Sequence, residues 1–273
     1  MHDRTVFFIS DGTGITAESL GHLLAHFPGV NFRQIRMPFV DSEAKLEEAM
    51  ANVNKVTEED GVRPLLIATL IKQDWRARLR QTSAMFLDVF GMFVDPLAME
   101  LQQQPTGELG KSRGVTGDSY FARIDAINYT LNHDDGISVS SLEEAQVILV
   151  GVSRCGKTPT CLYLAMQFGI KAANYPLIPE DFERGCLPAA LTHHTDKLFG
   201  LTIRPERLHS VRTERRPDSR YASLDNCRTE IIKAEDLMRR AGISWLDSTT
   251  RSIEEIATTI LQRACISTTE SYL

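Results

Sequence analysis

The chain has 273 residues, 42% of them hydrophobic and 24% charged, with a formal net charge of −6. Those values suit a globular chain of one large domain or two smaller ones. They exclude the overall basic character that nucleic acid selects, and no apolar run approaches the ~20 residues of a membrane span.

The first hundred residues alternate strand and helix patterns. Val6–Ile9 is a short apolar run, and an N-terminus that leads straight into it predicts no signal peptide. Thr16–His26 carries Leu20, Leu23, Leu24 and Phe27 at helical spacing, and Phe32–Val40 holds a second strand candidate. Ser42–Asp60 predicts an amphipathic helix capped by Ser42, with Leu46, Ala49, Met50 and Val53 inward. Pro64–Leu70 is a further apolar run. Strands alternating with helices predict a parallel α/β sheet. Residues 105–118, rich in glycine and containing Lys111 and Arg113, break the pattern and predict a linker or mobile loop. Ser119–His133 predicts a helix with a Phe121, Ile124, Ile127, Leu131 stripe. Leu198–Ile203 and Ile243–Leu246 are strand candidates, and Arg228–Arg240 and Ser252–Arg263 helix candidates. The expected organisation is an N-terminal α/β domain over 1–104, the linker, and a second α/β domain with a mainly parallel sheet over 119–273.

Between these elements lies Gly151-Val152-Ser153-Arg154-Cys155-Gly156-Lys157-Thr158, which fits G-x-x-x-x-G-K-[ST], the phosphate-binding P-loop. Gln146–Val150 reads as the buried strand entering it, and Pro159–Phe168 as the helix leaving it with Leu162, Ala165 and Met166 on one face. The glycines let the backbone curl so that its N–H groups meet phosphate oxygens. Lys157 reaches the terminal phosphates and the Thr158 hydroxyl can bind Mg²⁺. The helix N-terminus adds its dipole. The second domain is therefore expected to be P-loop kinase-like.

A P-loop needs acidic partners. His133-Asp134-Asp135-Gly136 stands just upstream of the strand; Asp134 and Asp135 read either as a turn or as groups that orient an attacking hydroxyl. Asp247 reads either as a metal-facing acid or as a turn or helix cap. Arg204, Arg207, Arg212, Arg215, Arg216 and Arg220 form a cluster whose forks suit phosphate, against a solvated helix face paired with Glu206 and Glu214. Ser10–Gly14 sits at a strand end where α/β sheets place ligand loops, or merely caps the first helix through Thr13 or Thr16. His193-His194 is a poor metal pair, since neighbours point apart. The five cysteines, Cys155, Cys161, Cys186, Cys227 and Cys265, form no C-x-x-C pair, which predicts reduced thiols and a cytoplasmic protein.

Several segments together resemble one family. Ser10-Asp11-Gly12-Thr13-Gly14-Ile15-Thr16-Ala17-Glu18, His133–Gly136, Gly151–Thr160 followed by Tyr163-Leu164-Ala165, Gly200–Ile203 with Pro205, Arg207 and Leu208, and Arg220-Tyr221-Ala222 occur in the order found in phosphoenolpyruvate synthase regulatory proteins. These are related to the pyruvate, phosphate dikinase regulatory proteins. The resemblance covers essentially the whole chain, and Gly156 matches the synthase-regulating branch rather than the one with serine before the lysine.

The resemblance implies a bifunctional enzyme whose partner is phosphoenolpyruvate synthase. It implies phosphorylation of a target threonine beside the synthase's catalytic histidine, with ADP as donor, which inactivates the synthase. It also implies removal of that phosphate by inorganic phosphate, which releases pyrophosphate. On that basis Lys157 and the loop Gly151–Thr158 hold the phosphates, Thr158 holds Mg²⁺, and Asp134 or Asp135 orients the threonine hydroxyl. The rival readings are a small-molecule P-loop kinase, a regulator of the related dikinase and a nucleotide-binding module without chemistry. The residues themselves do not distinguish ADP from ATP, and they leave a homo-oligomer open.

Overall fold

The structure is a computed structural model and describes residues 2–106, 118–136 and 140–264. The chain divides into two compact units, Met1–Gly114 and Val115–Leu273. Their junction falls within the expected linker, of which residues 107–117 lie outside the described residues.

The first unit runs β1 (His2–Ser10), α1 (Ile15–Gly21), β2 (Val30–Met37), α2 (Glu43–Asp60), β3 (Leu65–Thr69), α3 (Gln73–Leu79), β4 (Met85–Asp88) and α4 (Val89–Leu101). Its sheet is parallel throughout, in the order β2-β1-β3-β4. Side chains of β1 alternate between two cores, as a strand buried on both faces requires. Phe7 and Ile9 join Leu46, Ala49 and Val53 of α2, whereas Val6 and Phe8 pack with Ala17 of α1. Ser42 caps α2 as expected, accepting from the Lys45 N–H. The first helix is shorter than its apolar spacing suggests. It ends at Gly21 and continues as a 3-10 turn over His22–His26, with Leu23 and Phe27 exposed and only Leu20 and Leu24 packed inward. At Gly21 a Cβ would lie 2.5 Å from the Phe8 ring, so the end of the helix packs closely on β1 where only glycine fits. Elements α3, β4 and α4 lie beyond the elements expected from the sequence, and α4 is apolar on nearly all sides, with Met92, Phe93, Leu97 and Met99 exposed.

The second unit runs α5 (Asp118–Asn132), β5 (Val147–Gly151), α6 (Lys157–Phe168), β6 (Ala172–Pro176), α7 (Pro179–Arg184), β7 (Leu198–Thr202), α8 (Pro205–Arg215), α9 (Leu224–Arg240), β8 (Trp245–Asp247) and α10 (Ile253–Arg263). Its sheet is again parallel, ordered β6-β5-β7-β8. The chain leaves β5 toward β6 and later returns to β7 on the other side. The loop after β5 therefore lies where connections diverge, the position at which open α/β sheets hold ligands. Val147, Ile148, Leu149 and Val150 are fully buried, so the continuous apolar run is the central strand.

Two expected helix faces are corrected. On α6 the buried stripe is Thr160, Cys161, Leu164 and Ala165, and Met166 is exposed. On α5, Phe121, Ile124 and Leu131 are exposed, while Ala126, Tyr129, Thr130 and the following His133 are buried. The reason is that β6 is an edge strand with unpaired N–H groups, and α5 packs against it. Ala172 N–H donates to Thr130 Oγ1 at 3.3 Å and Asn174 N–H to the His133 carbonyl at 3.1 Å. Pro176, next in that alternation, has no N–H to satisfy. A polar face on α5 thus covers a polar edge.

Candidate functional site

The loop between β5 and α6 has the backbone that its glycines make possible. Gly151 has φ 151°, and a Cβ there would lie 2.2 Å from the Leu201 carbonyl oxygen on the neighbouring strand β7. Gly156 has φ 99° and Arg154 φ 76°, so the loop returns twice through the left-handed region before entering α6. Backbone N–H groups in such a turn form an anion-binding concavity. Lys157, the first residue of α6, is buried, and its Nζ donates to the Val152 carbonyl at 2.9 Å. The ammonium is thus folded over the loop it serves. Val152 and Cys155 are buried, whereas Arg154 is exposed.

Asp134 and Asp135 part company in the fold. They lie in a 3-10 turn, Asp134–Gly136, so the turn reading holds for both. Asp134 is also brought to the loop: Thr158 Oγ1 donates to its Oδ1 at 2.7 Å. Asp135 has φ 50° and an exposed side chain, and its N–H donates to Asn174 Oδ1 at 3.0 Å. Asn174 holds the arrangement together. Its Nδ2 donates to Asp134 Oδ1 and, at 3.5 Å, to Thr158 Oγ1. His133 anchors the segment from the other end, with Nδ1 and Nε2 each 2.7 Å from a carbonyl oxygen, of Tyr129 and Ser140 respectively. Sequence reasoning missed Asn174. Its signal was a carboxamide within a strand of small and apolar residues, which when buried demands hydrogen-bond partners.

The arginine cluster is not one group. Arg212 is fully buried on α8. Its guanidinium donates to Glu230 at 2.7 Å, to the Tyr221 carbonyl at 3.0 Å and to the Ser153 carbonyl of the loop at 3.1 Å, and it stacks 4.1 Å over the Tyr221 ring. The Tyr221 hydroxyl donates to Ser153 Oγ at 3.0 Å. Arg204, Arg207, Arg215, Arg216 and Arg220 are exposed. Glu206 pairs with Arg228 rather than within the cluster. Asp247 accepts from the Thr249 N–H at 2.8 Å and closes a turn; Ser252 caps α10 in its place, with Glu255 completing the box. The adjacent Ser248, which carried no sequence signal, donates to the Cys155 carbonyl at 2.8 Å.

Burial pushes the thiols of Cys155, in the loop, and Cys161, within α6, above the ordinary range, so neither is a ready nucleophile. In the first unit, Ser10–Gly14 follows β1 and links to the next loop through Asp11, whose carboxylate accepts from the Ile71 N–H at 2.7 Å. Burial raises its pKa. The N-cap of α1 is Gly14, at φ 81°, and no side chain caps it.

The fold and this loop define a parallel α/β protein with a kinase-like fold, with a lysine, a threonine and a carboxylate gathered at the end of the central strand. The chain belongs to the kinase/pyrophosphorylase family, whose model matches residues 6–261. A protein of Methylobacillus flagellatus, provisionally named a phosphoenolpyruvate synthase regulatory protein, is 67% identical over 263 residues, which is 96% of this chain and 97% of its own. Proteins of Aromatoleum aromaticum and Bordetella avium with the same provisional name are 59% and 54% identical, each over 95% of both chains. The family is one of phosphotransferases. No helix among the described residues is long and apolar enough to cross a membrane.

Proposed function

We propose that this chain regulates phosphoenolpyruvate synthase as a bifunctional serine/threonine kinase and phosphorylase. In one direction a threonine of the synthase takes the β-phosphoryl group of ADP, leaving AMP and an inactive synthase. In the other, inorganic phosphate takes that group from the phosphothreonine, giving pyrophosphate and the active synthase. The observation that carries this reading is the meeting of Thr158 and Asp134 beside Lys157, in a chain 67% identical to a relative provisionally named for that regulation.

Both directions move a phosphoryl group between a threonine oxygen and a phosphate oxygen, so one electrostatic cradle serves both. Lys157 and the loop N–H groups hold ADP in one direction, and phosphate and the departing pyrophosphate in the other. The oxygens of Thr158 and Asp134 suit Mg²⁺, a hard cation. Thr158 commits its hydroxyl proton to Asp134 and accepts a long contact from Asn174 Nδ2, which leaves one lone pair for the metal. When bound, Mg²⁺ would neutralise charge on the phosphates. Asp134 Oδ2 takes no hydrogen bond among the described residues, so it is the oxygen to accept the proton of the threonine hydroxyl in the kinase direction and return it in the other. Asp135, exposed and turned away, serves the turn.

The test is incubation with purified phosphoenolpyruvate synthase and ADP labelled at the β-phosphate, with the label followed onto threonine. Phosphate added afterwards should release labelled pyrophosphate. Label arriving only from the γ-position of ATP, or reaching no threonine of the synthase, would overturn the proposal.

A further inference from the structure

The phosphate loop is held from behind by two side chains that nothing in its motif specifies. Arg212, on α8, donates to the Ser153 carbonyl at 3.1 Å; Ser248, just after β8, donates to the Cys155 carbonyl at 2.8 Å. The Ser248 hydroxyl also lies 2.9 Å from the Thr202 carbonyl, which receives the Ser248 N–H as well, so Ser248 ties the Cys155 carbonyl to the end of β7. Arg212 is 0% exposed, which places it on the protein side of the loop.

The peptide bonds here are trans, and in a trans peptide the carbonyl and the following N–H point to opposite sides. A Ser153 carbonyl pinned toward the interior therefore turns the Arg154 N–H outward, to the side a ligand can reach. The Cys155 carbonyl does the same for the Gly156 N–H. Arg154 and Gly156 lie in the left-handed region, with φ 76° and 99°, and alternate the backbone into an anion-binding nest.

We propose that Arg212 and Ser248 are positioning residues that aim the Arg154 and Gly156 N–H groups at the bound phosphate. Arg212 acts through the backbone and does not touch the ligand, although it belongs to an arginine cluster whose chemistry suits phosphate. Its position is itself secured by Glu230 at 2.7 Å and by stacking on Tyr221, whose hydroxyl fixes Ser153 Oγ. Preorganised donors bind an anion without the cost of turning peptide groups at the moment of binding, so loosening them weakens phosphate affinity. The inference rests on the reading that this loop holds phosphate groups.

Calorimetric titration with inorganic pyrophosphate and with ADP tests it, on the full chain well below its unfolding temperature. Ser248→Ala and Arg212→Lys should each bind both probes about tenfold more weakly, the scale of losing a group that orients a ligating one. Ser252→Ala, which removes the α10 cap away from the loop, should lower the unfolding temperature and bind as the wild type does. Arg212 is buried in an ion pair, so if Arg212→Lys does not fold, Tyr221→Phe examines the Ser153 side in its place, with weakened binding expected. Wild-type affinity in a folded Ser248→Ala, or in the folded variant on the Ser153 side, overturns the role of that residue. Wild-type protein that binds neither probe overturns the phosphate-loop reading and this inference together.

Discussion

Replacing Asp134 by asparagine separates the structural part of that carboxylate from its chemical part. Oδ1 of Asp134 accepts from Thr158 Oγ1 at 2.7 Å and from Asn174 Nδ2, and an amide oxygen turned the same way keeps both bonds. The variant loses charge assistance in those bonds, which costs about 1–2 kcal/mol on a half-buried group. The folded state therefore survives. What replaces Oδ2 is an NH₂ group, which cannot take a proton from an incoming hydroxyl and presents hydrogens to it instead. Loss of a positioned base lowers a rate by about 10²–10⁴. That is roughly 3–5 kcal/mol of barrier, well above the stability cost. The assay is the initial rate of phosphoryl transfer from ADP to phosphoenolpyruvate synthase and of its phosphate-dependent reversal, with thermal unfolding in parallel. Asp135→Asn, on the exposed side of the same turn, should stay within about twofold in both directions, as surface changes away from the reacting atoms do. Asp134→Asn retaining rates within about threefold of the wild type, with its fold intact, would refute the reasoning.

Three further outcomes follow from the same geometry. Lys157→Ala should abolish both reactions and leave a folded protein, because among the described residues Nζ bonds only the Val152 carbonyl; surviving phosphorolysis in a rate assay would mean separate sites. Gly151→Ala should destabilise by about 3 kcal/mol or more in denaturant unfolding, since its Cβ would meet the Leu201 carbonyl at 2.2 Å, a backbone clash with no flexible side chain to yield; a midpoint near that of the wild type would contradict the described loop. Asp11→Asn should raise the unfolding temperature at pH 7. Burial lifts the Asp11 pKa above 3.8, so ionisation favours the unfolded chain, and the amide avoids that cost while still accepting from Ile71. The gain should disappear as pH falls below 3.8, where the carboxyl is protonated in both states; a gain that persists at low pH would point to another cause.

Much of the site was legible because its requirements are local. Positive φ at Gly156, a buried apolar run into the loop and a lysine opening the helix are properties of neighbouring residues, and they stand in the chain within a dozen positions. The parallel α/β class followed in the same way from alternating runs. The faces of α5 and α6 were not legible from hydrophobic spacing, because α5 buries Thr130 and His133 to satisfy the edge of β6. Helical periodicity counts apolar residues and is blind to a partner's unpaired N–H groups.

The choice between Asp134 and Asp135 belongs to the tertiary structure alone. Adjacent in sequence and identical in chemistry, they differ only in what β6 and α6 place beside them: Thr158 beside one, open solvent beside the other. The same is true of Arg212, one of six clustered arginines, and of Ser248, 93 residues from the carbonyl it holds. By itself the sequence determined that a glycine-bearing turn leading into a helix that opens with lysine follows the central strand, because backbone conformation is set by residues in contact along the chain. Which carboxylate faces that loop, and which side chains steady it from behind, waited on packing that brings distant segments within a hydrogen bond's length.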